Sequence, residues 1–197
     1  MFVAGCVSFA LLFLSDIDEC WFKVKASRIL FAIGFLLLSI STTMLCIRGF
    51  SENIFSFGIR AIFSFSCAMF VALLIYTLFF ALPFKNTYVS SEVAPSEKNV
   101  KNSGVYALCR HPGIIWFFLL YVSLWGATGL RITEAFVFSG LNLLYAAFQD
   151  IFIFPHTIDG YMEYKKNIPF LIPSPKSIRM CFGNRRVTST DEISGKT

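Results

Sequence analysis

Three stretches free of charged side chains, and a fourth broken only near its end, decide what this chain can fold into. They cover residues 29–47, 61–84 and 113–130, then 135–154, where Gln149 and Asp150 interrupt. Each comes close to the roughly 20 apolar residues that a helix needs to cross hydrocarbon. Inside a bilayer every backbone polar group must be satisfied within its own segment, so such stretches are read as helices. Residues 1–15 form a shorter apolar run of about 22 Å if helical. They lack the basic start and small-residue cleavage site of a signal peptide, and are read as a short first span. Charged residues make up 15% of the chain, against about 25% in a soluble domain. The expectation is an all-α, polytopic membrane bundle of about five transmembrane helices, followed by a cytosolic amphipathic helix near the C-terminus.

Five spans place the chain ends on opposite sides, and the basic residues choose between the two orientations. All 17 lysines and arginines except Arg48, Arg60 and Arg131 fall in residues 16–28, 85–112 and 155–197. Those segments are therefore expected in the cytosol, with the N-terminus outside. The net charge of +5 then belongs to topology and to contact with anionic membrane lipids. No aromatic-basic pattern for nucleic acid is present. Short outer connections near 48–60 and 131–134 predict antiparallel pairing of spans two and three, and of spans four and five. The six cysteines are scattered without metal-ligand spacing, so no metal site is expected. Residues 1–90 read as three N-terminal spans, 91–175 as a region carrying the chemistry, and 176–197 as a polar tail. Within the middle region, 85–103 is a polar, serine-rich link, and 158–168 has the i, i+3 apolar spacing of a helix lying on a membrane surface.

Two polar islands stand out against this background. Residues 103–112 read Ser-Gly-Val-Tyr-Ala-Leu-Cys-Arg-His-Pro, placing Arg110 and His111 at the lip of the fourth span with Pro112 as its first helical residue. Asp150 closes the neighbouring span. Ionisable groups at a bilayer boundary are costly and point to function. An antiparallel pair brings these groups to one depth, where a cation and an anion at an apolar mouth suit a ligand that is zwitterionic at one end. The N–H groups opening the fourth span also favour a carboxylate. The alternatives are lipid-phosphate contact for Arg110 and His111, an ordinary helix end for Asp150, and interfacial anchoring for Tyr161 and Tyr164. Motifs for nucleotide-binding loops, serine hydrolases and zinc proteases are absent.

The combination of S-G-V-Y-A-x-x-R-H-P over 103–112, an acid at Asp150, Tyr161-x-x-Tyr164, and Ile168-Pro169 with Ile172-Pro173 resembles the C-terminal half of the isoprenylcysteine carboxyl methyltransferases. These are integral-membrane enzymes related to phospholipid methyltransferases. The resemblance spans about residues 100–175. It implies S-adenosyl-L-methionine bound at the cytosolic face without a soluble nucleotide-binding domain. Carried over position by position, Tyr106, Arg110, His111, Pro112, Asp150, Tyr161, Tyr164, Ile172 and Pro173 would contact the cofactor. Arg110, His111 and Asp150 would form the catalytic corner, and the Pro169–Pro173 backbone would face the adenine.

The chain departs from that pattern at several places. Ile114 replaces a tyrosine, Gln149-Asp150 an acidic pair, and Thr157-Ile158 a Phe-Gly. Tyr145 or Ala146, and Asn167, stand where the carboxyl-methylating branch carries arginines. The implied activity is methyl transfer to a lipid or prenylated-protein substrate, foremost the carboxylate of S-isoprenylcysteine. Phospholipid amine methylation and a non-catalytic membrane scaffold remain alternatives, with a transporter behind them. The membrane would be the endoplasmic reticulum in a eukaryote or the inner membrane in a bacterium.

Overall fold

The computed structural model describes residues 1–22, 27–81, 104–158, 160–175 and 177–179, and the regular elements among them are all helical. Helix α1 is Phe2–Ile17, continued by a π turn at Asp18–Phe22. Helix α2 is Ser27–Phe50, and α3 is Phe57–Ile75 with a π turn at Tyr76–Ala81. A short 3₁₀ turn at Gly104–Ala107 leads into α4, Pro112–Thr128. Helix α5, Ile132–Phe148, runs through a π turn at Gln149–Ile153 into the short α6, Phe154–Thr157. Helix α7 is Tyr161–Asn167. The polar link expected at 85–103 and the tail from 180 onward lie outside the described residues.

Among the described residues, three continuous helical stretches are long and apolar enough to cross a membrane: Ser27–Phe50, Phe57–Leu78 and Ile132–Thr157. Helix α4 is equally apolar, but its 17 residues reach only about 25 Å. Helix α1 has 16 residues, or about 24 Å. Helix α3 buries none of its described side chains completely, and Ile62 and Phe65 are among many large apolar groups that it exposes. A helix apolar on all sides suits a hydrocarbon surround.

The pairing of helices differs from the sequence expectation in one respect. Helices α4 and α5 do pack together, but α2 packs chiefly on α1, and α3 chiefly on α4, rather than on each other. The six-residue connection between α2 and α3 does not force them into a pair, because other partners fit better. Phe9, Leu12, Leu45, Tyr121, Leu130, Ala135, Phe138 and Tyr145 form one buried cluster drawn from α1, α2, α4, α5 and the connection between the last two. Gly49 of α2 meets Gly129 there. A Cβ on Gly49 would stand 2.5 Å from the Gly129 carbonyl, and Gly129 itself has φ 79° as the left-handed cap of α4. Only glycine permits both the approach and the turn. A hydrogen bond of 2.6 Å between Thr42 and Tyr121 ties α2 to α4 at mid-height.

Candidate functional site

The Arg110-His111 corner is held by backbone on both sides. The 3₁₀ turn carries the chain to Arg110, and Pro112 opens α4 at a position where a missing N–H costs nothing. The Arg110 N–H donates to the Pro169 carbonyl at 2.9 Å, and the His111 N–H to the Phe170 carbonyl at 3.1 Å. The proline-bounded segment after α7 thus lies alongside the entry to α4. The His111 ring stacks on Phe154 at 5.9 Å between centroids, and a tilted Phe170 ring stands 4.8 Å away.

Asp150 comes to the same place from α5. It sits in the π turn, whose wider winding re-aims side chains relative to the α-helix before it, and its side chain is 4% exposed. Arg110 Nη1 donates to Oδ1 at 2.6 Å and to Oδ2 at 2.8 Å. The Tyr161 hydroxyl donates to Oδ1 at 2.6 Å, and His111 Nε2 lies 3.1 Å from the same oxygen. Lys165 Nζ lies 2.8 Å from Oδ2 and donates to the Asp150 backbone carbonyl at 3.0 Å. One buried carboxylate therefore meets a guanidinium, an ammonium, an imidazole and a phenol. Burial and the adjacent Asp150 carboxylate push the Tyr161 hydroxyl well above its ordinary range, so it remains a donor.

A second tier stands behind this cluster. The Tyr164 hydroxyl donates to the Tyr106 carbonyl at 2.7 Å, and the Tyr106 hydroxyl donates to the Thr77 carbonyl at 3.2 Å. Burial raises both phenols, and the chain of contacts fastens α7 to the end of α3. On the other flank, Gln149 Nε2 donates to Asp16 Oδ2 at 2.8 Å, which joins α1 to the same end of the bundle.

Among the residues singled out from sequence, Arg110, His111, Asp150 and Tyr161 converge on one point. Tyr106 and Tyr164 brace that point from behind, and Pro112 is buried at the start of α4. Ile172 and Pro173 are exposed; their neighbours Pro169 and Phe170 reach the corner instead, because they lie level with the two backbone donors. The N–H groups of Arg110 and His111 are taken by those two carbonyls, not left for a ligand. Sequence reasoning missed Lys165, Phe154 and Phe170. The first could have been found, since it lies four residues after Tyr161 on the same helical face.

S-adenosyl-L-methionine offers a carboxylate, a primary ammonium and an adenine, and the corner can be tested against each. Arg110 and Lys165 outnumber Asp150, and Arg110 Nε is buried without an acceptor among the described residues. A carboxylate fits that surplus. The aromatic faces of His111, Phe154 and Phe170 fit a planar ring. An ammonium fits Asp150 only by exchange, because protein donors already fill both carboxylate oxygens, which offer about four lone-pair sites. No family model matches the chain, and no curated protein or solved structure matches it.

Proposed function

We propose that this protein is a membrane-embedded methyltransferase that uses S-adenosyl-L-methionine and acts on a lipid-linked acceptor, foremost the carboxylate of a prenylated cysteine. The observation that carries the reading is the convergence of Arg110, His111 and Tyr161 on Asp150, beside the Pro169–Phe170 backbone. These are the elements that the motif resemblance assigns to the cofactor. In this reading α1 and α4 are embedded beside the three longer helices, giving five passes, and α7 lies at the cytosolic surface. The excess of basic residues on the Asp150 side supports that orientation.

The cofactor supplies an electrophilic methyl group on a sulfonium centre. Arg110 holds its carboxylate end through the spare Nε–H, and Asp150 receives its ammonium. Tyr161 keeps the Asp150 carboxylate oriented, and the layered rings of Phe154, His111 and Phe170 enclose the flat portion. The lipid tail lies between α4 and α5, with the reacting headgroup at the polar corner. Transfer to a carboxylate needs alignment and exclusion of water, and no general base.

A second reading, a scaffold that keeps the fold without activity, is favoured by two observations. Arg110, His111, Tyr161 and Lys165 already occupy both oxygens of Asp150, and Asn167 is exposed where the carboxyl-methylating pattern has an arginine. Purified protein titrated with S-adenosyl-L-methionine separates the two readings. Saturable binding that His111→Ala weakens and Asp150→Asn abolishes supports the enzyme, and no binding supports the scaffold. A labelled-methyl assay offering a farnesylated cysteine peptide beside phosphatidylethanolamine then identifies the acceptor. Base-labile label on the peptide marks the ester, while stable label on the lipid marks amine methylation.

A further inference from the structure

Lys165 differs from every other group around Asp150. Its side chain is 31% exposed, against 9% for Arg110 and 10% for His111. It rides on α7, a seven-residue helix entered through Gly160, where φ is 73° and an added Cβ would meet no atom within 4 Å. Its Nζ spans two acceptors of a single residue, the Oδ2 edge and the backbone carbonyl of Asp150.

The carbonyl is available for a chemical reason. In the π turn the Phe154 N–H bonds to Gln149, five residues back. The same register would pair the Asp150 carbonyl with residue 155, which is proline and has no N–H. The turn therefore presents a carboxylate oxygen and an orphaned carbonyl oxygen side by side. Two such acceptors match a compact –NH3⁺ group with three donors better than a planar guanidinium.

We propose that the Oδ2 edge and the backbone carbonyl of Asp150 form a subsite for a primary ammonium, which Lys165 fills with its own Nζ until a ligand's amino group displaces it. Taking the ligand to be S-adenosyl-L-methionine rests on the proposed function; the subsite itself does not. Exchange of one ammonium for another leaves the charge and the hydrogen bonds of the cluster unchanged. Lys165 has an exposed path to water, whereas moving Arg110 or His111 would strand a buried group. The lysine thus lowers the apparent affinity for the incoming amine by the fraction of time it occupies the subsite.

The full chain in detergent tests this with Lys165→Met, which keeps an unbranched apolar stem and removes the ammonium. The variant should unfold at lower temperature than the wild type. Propylammonium chloride should restore its midpoint, and tetramethylammonium chloride at equal ionic strength, which has no N–H, should not. The wild type should respond to neither. Equal responses of the variant to both salts, or to neither, overturn the subsite. Lys165→Gln, with an amide that can still donate to the carbonyl, carries the same comparison if the methionine variant does not fold.

Direct titration then reads the displacement. Lys165→Met should bind S-adenosyl-L-methionine about tenfold or more tightly than the wild type. Equal affinities overturn displacement of Lys165 while leaving cofactor binding intact. Propylammonium rescue with no cofactor binding by either protein keeps the subsite and rejects the methyltransferase reading.

Discussion

The two ends of this helical bundle both carry arginines, and they use them in opposite ways. At the end formed by the α2–α3 and α4–α5 connections, Arg60 Nε donates to the Ala127 carbonyl at 3.3 Å, and its guanidinium lies 4.1 Å from the Phe50 ring centre. Asn53 donates to the Gly126 carbonyl, and the Arg131 N–H at the start of α5 donates to Glu134 Oε2 at 3.3 Å. Gly49 and Gly129 bring two backbones into contact beside them. Polar groups at that end finish helices. At the other end, Arg110 and Lys165 crowd a carboxylate whose oxygens cannot absorb all the donors offered, and Arg110 Nε stays buried without an acceptor among the described residues. Stable folding alone does not require this surplus, which is why the Asp150 end carries the functional reading.

Substitutions that fall on one end and spare the other sharpen the contrast. Asp150→Ala has the largest expected effect. It strands Arg110 beside a phenol and an imidazole, at a cost of about 3–5 kcal/mol, and it removes ligand binding as well. Denaturant unfolding in detergent beside a ligand titration reads both losses. Unchanged stability would mean that the cluster is not held together by the carboxylate. Gly129→Ala should cost about 2–4 kcal/mol, since alanine resists a positive φ and its Cβ meets the Gly49 carbonyl. The protein that still folds should bind ligand as the wild type does. A matching loss of binding would merge the two ends into one functional unit.

Tyr161→Phe removes one hydrogen bond to a charged acceptor and should cost about 2 kcal/mol. Its pH behaviour has a definite sign. The folded-state pKa of Tyr161 is raised, so this contribution is fully present below the ordinary tyrosine range and fades only as pH climbs through the raised value. Ultraviolet titration should therefore find Tyr161 still protonated where exposed tyrosines have ionised. A phenolate appearing at the ordinary pH would contradict its burial against Asp150. Arg60→Ala, at the opposite end, should lower stability by only about 1 kcal/mol and leave ligand binding untouched. A large effect on binding there would break the comparison.

Much of this was legible before the fold was known. The absence of charge over 29–47 and 61–84 identified helices that suit hydrocarbon, because no other open arrangement satisfies a backbone in lipid. The spacing of Arg110, His111 and Pro112 placed a polar corner at a helix start, and Tyr161 and Tyr164 shared one apolar face. Partner choice was less legible. The α2–α3 connection looked like a hairpin, yet the close approach at Gly49 and the buried faces of Phe9 and Leu12 drew α2 onto α1 and the α4 end. Contacts made over such distances in sequence, such as Gln149 with Asp16, leave no local pattern to read.

By itself the sequence determined the helical class, the stretches apolar enough for hydrocarbon and which residue types stand at their ends, since burial in hydrocarbon acts on every segment separately. Only the tertiary structure decided that Lys165 joins Arg110, His111 and Tyr161 on one carboxylate, and that Pro155 frees the carbonyl beside it. Hydrogen bonds and close ion pairs form only when donor and acceptor come within about 3 Å. Their existence therefore depends on how packed helices rotate and where a π turn re-aims a side chain, and composition carries no record of either.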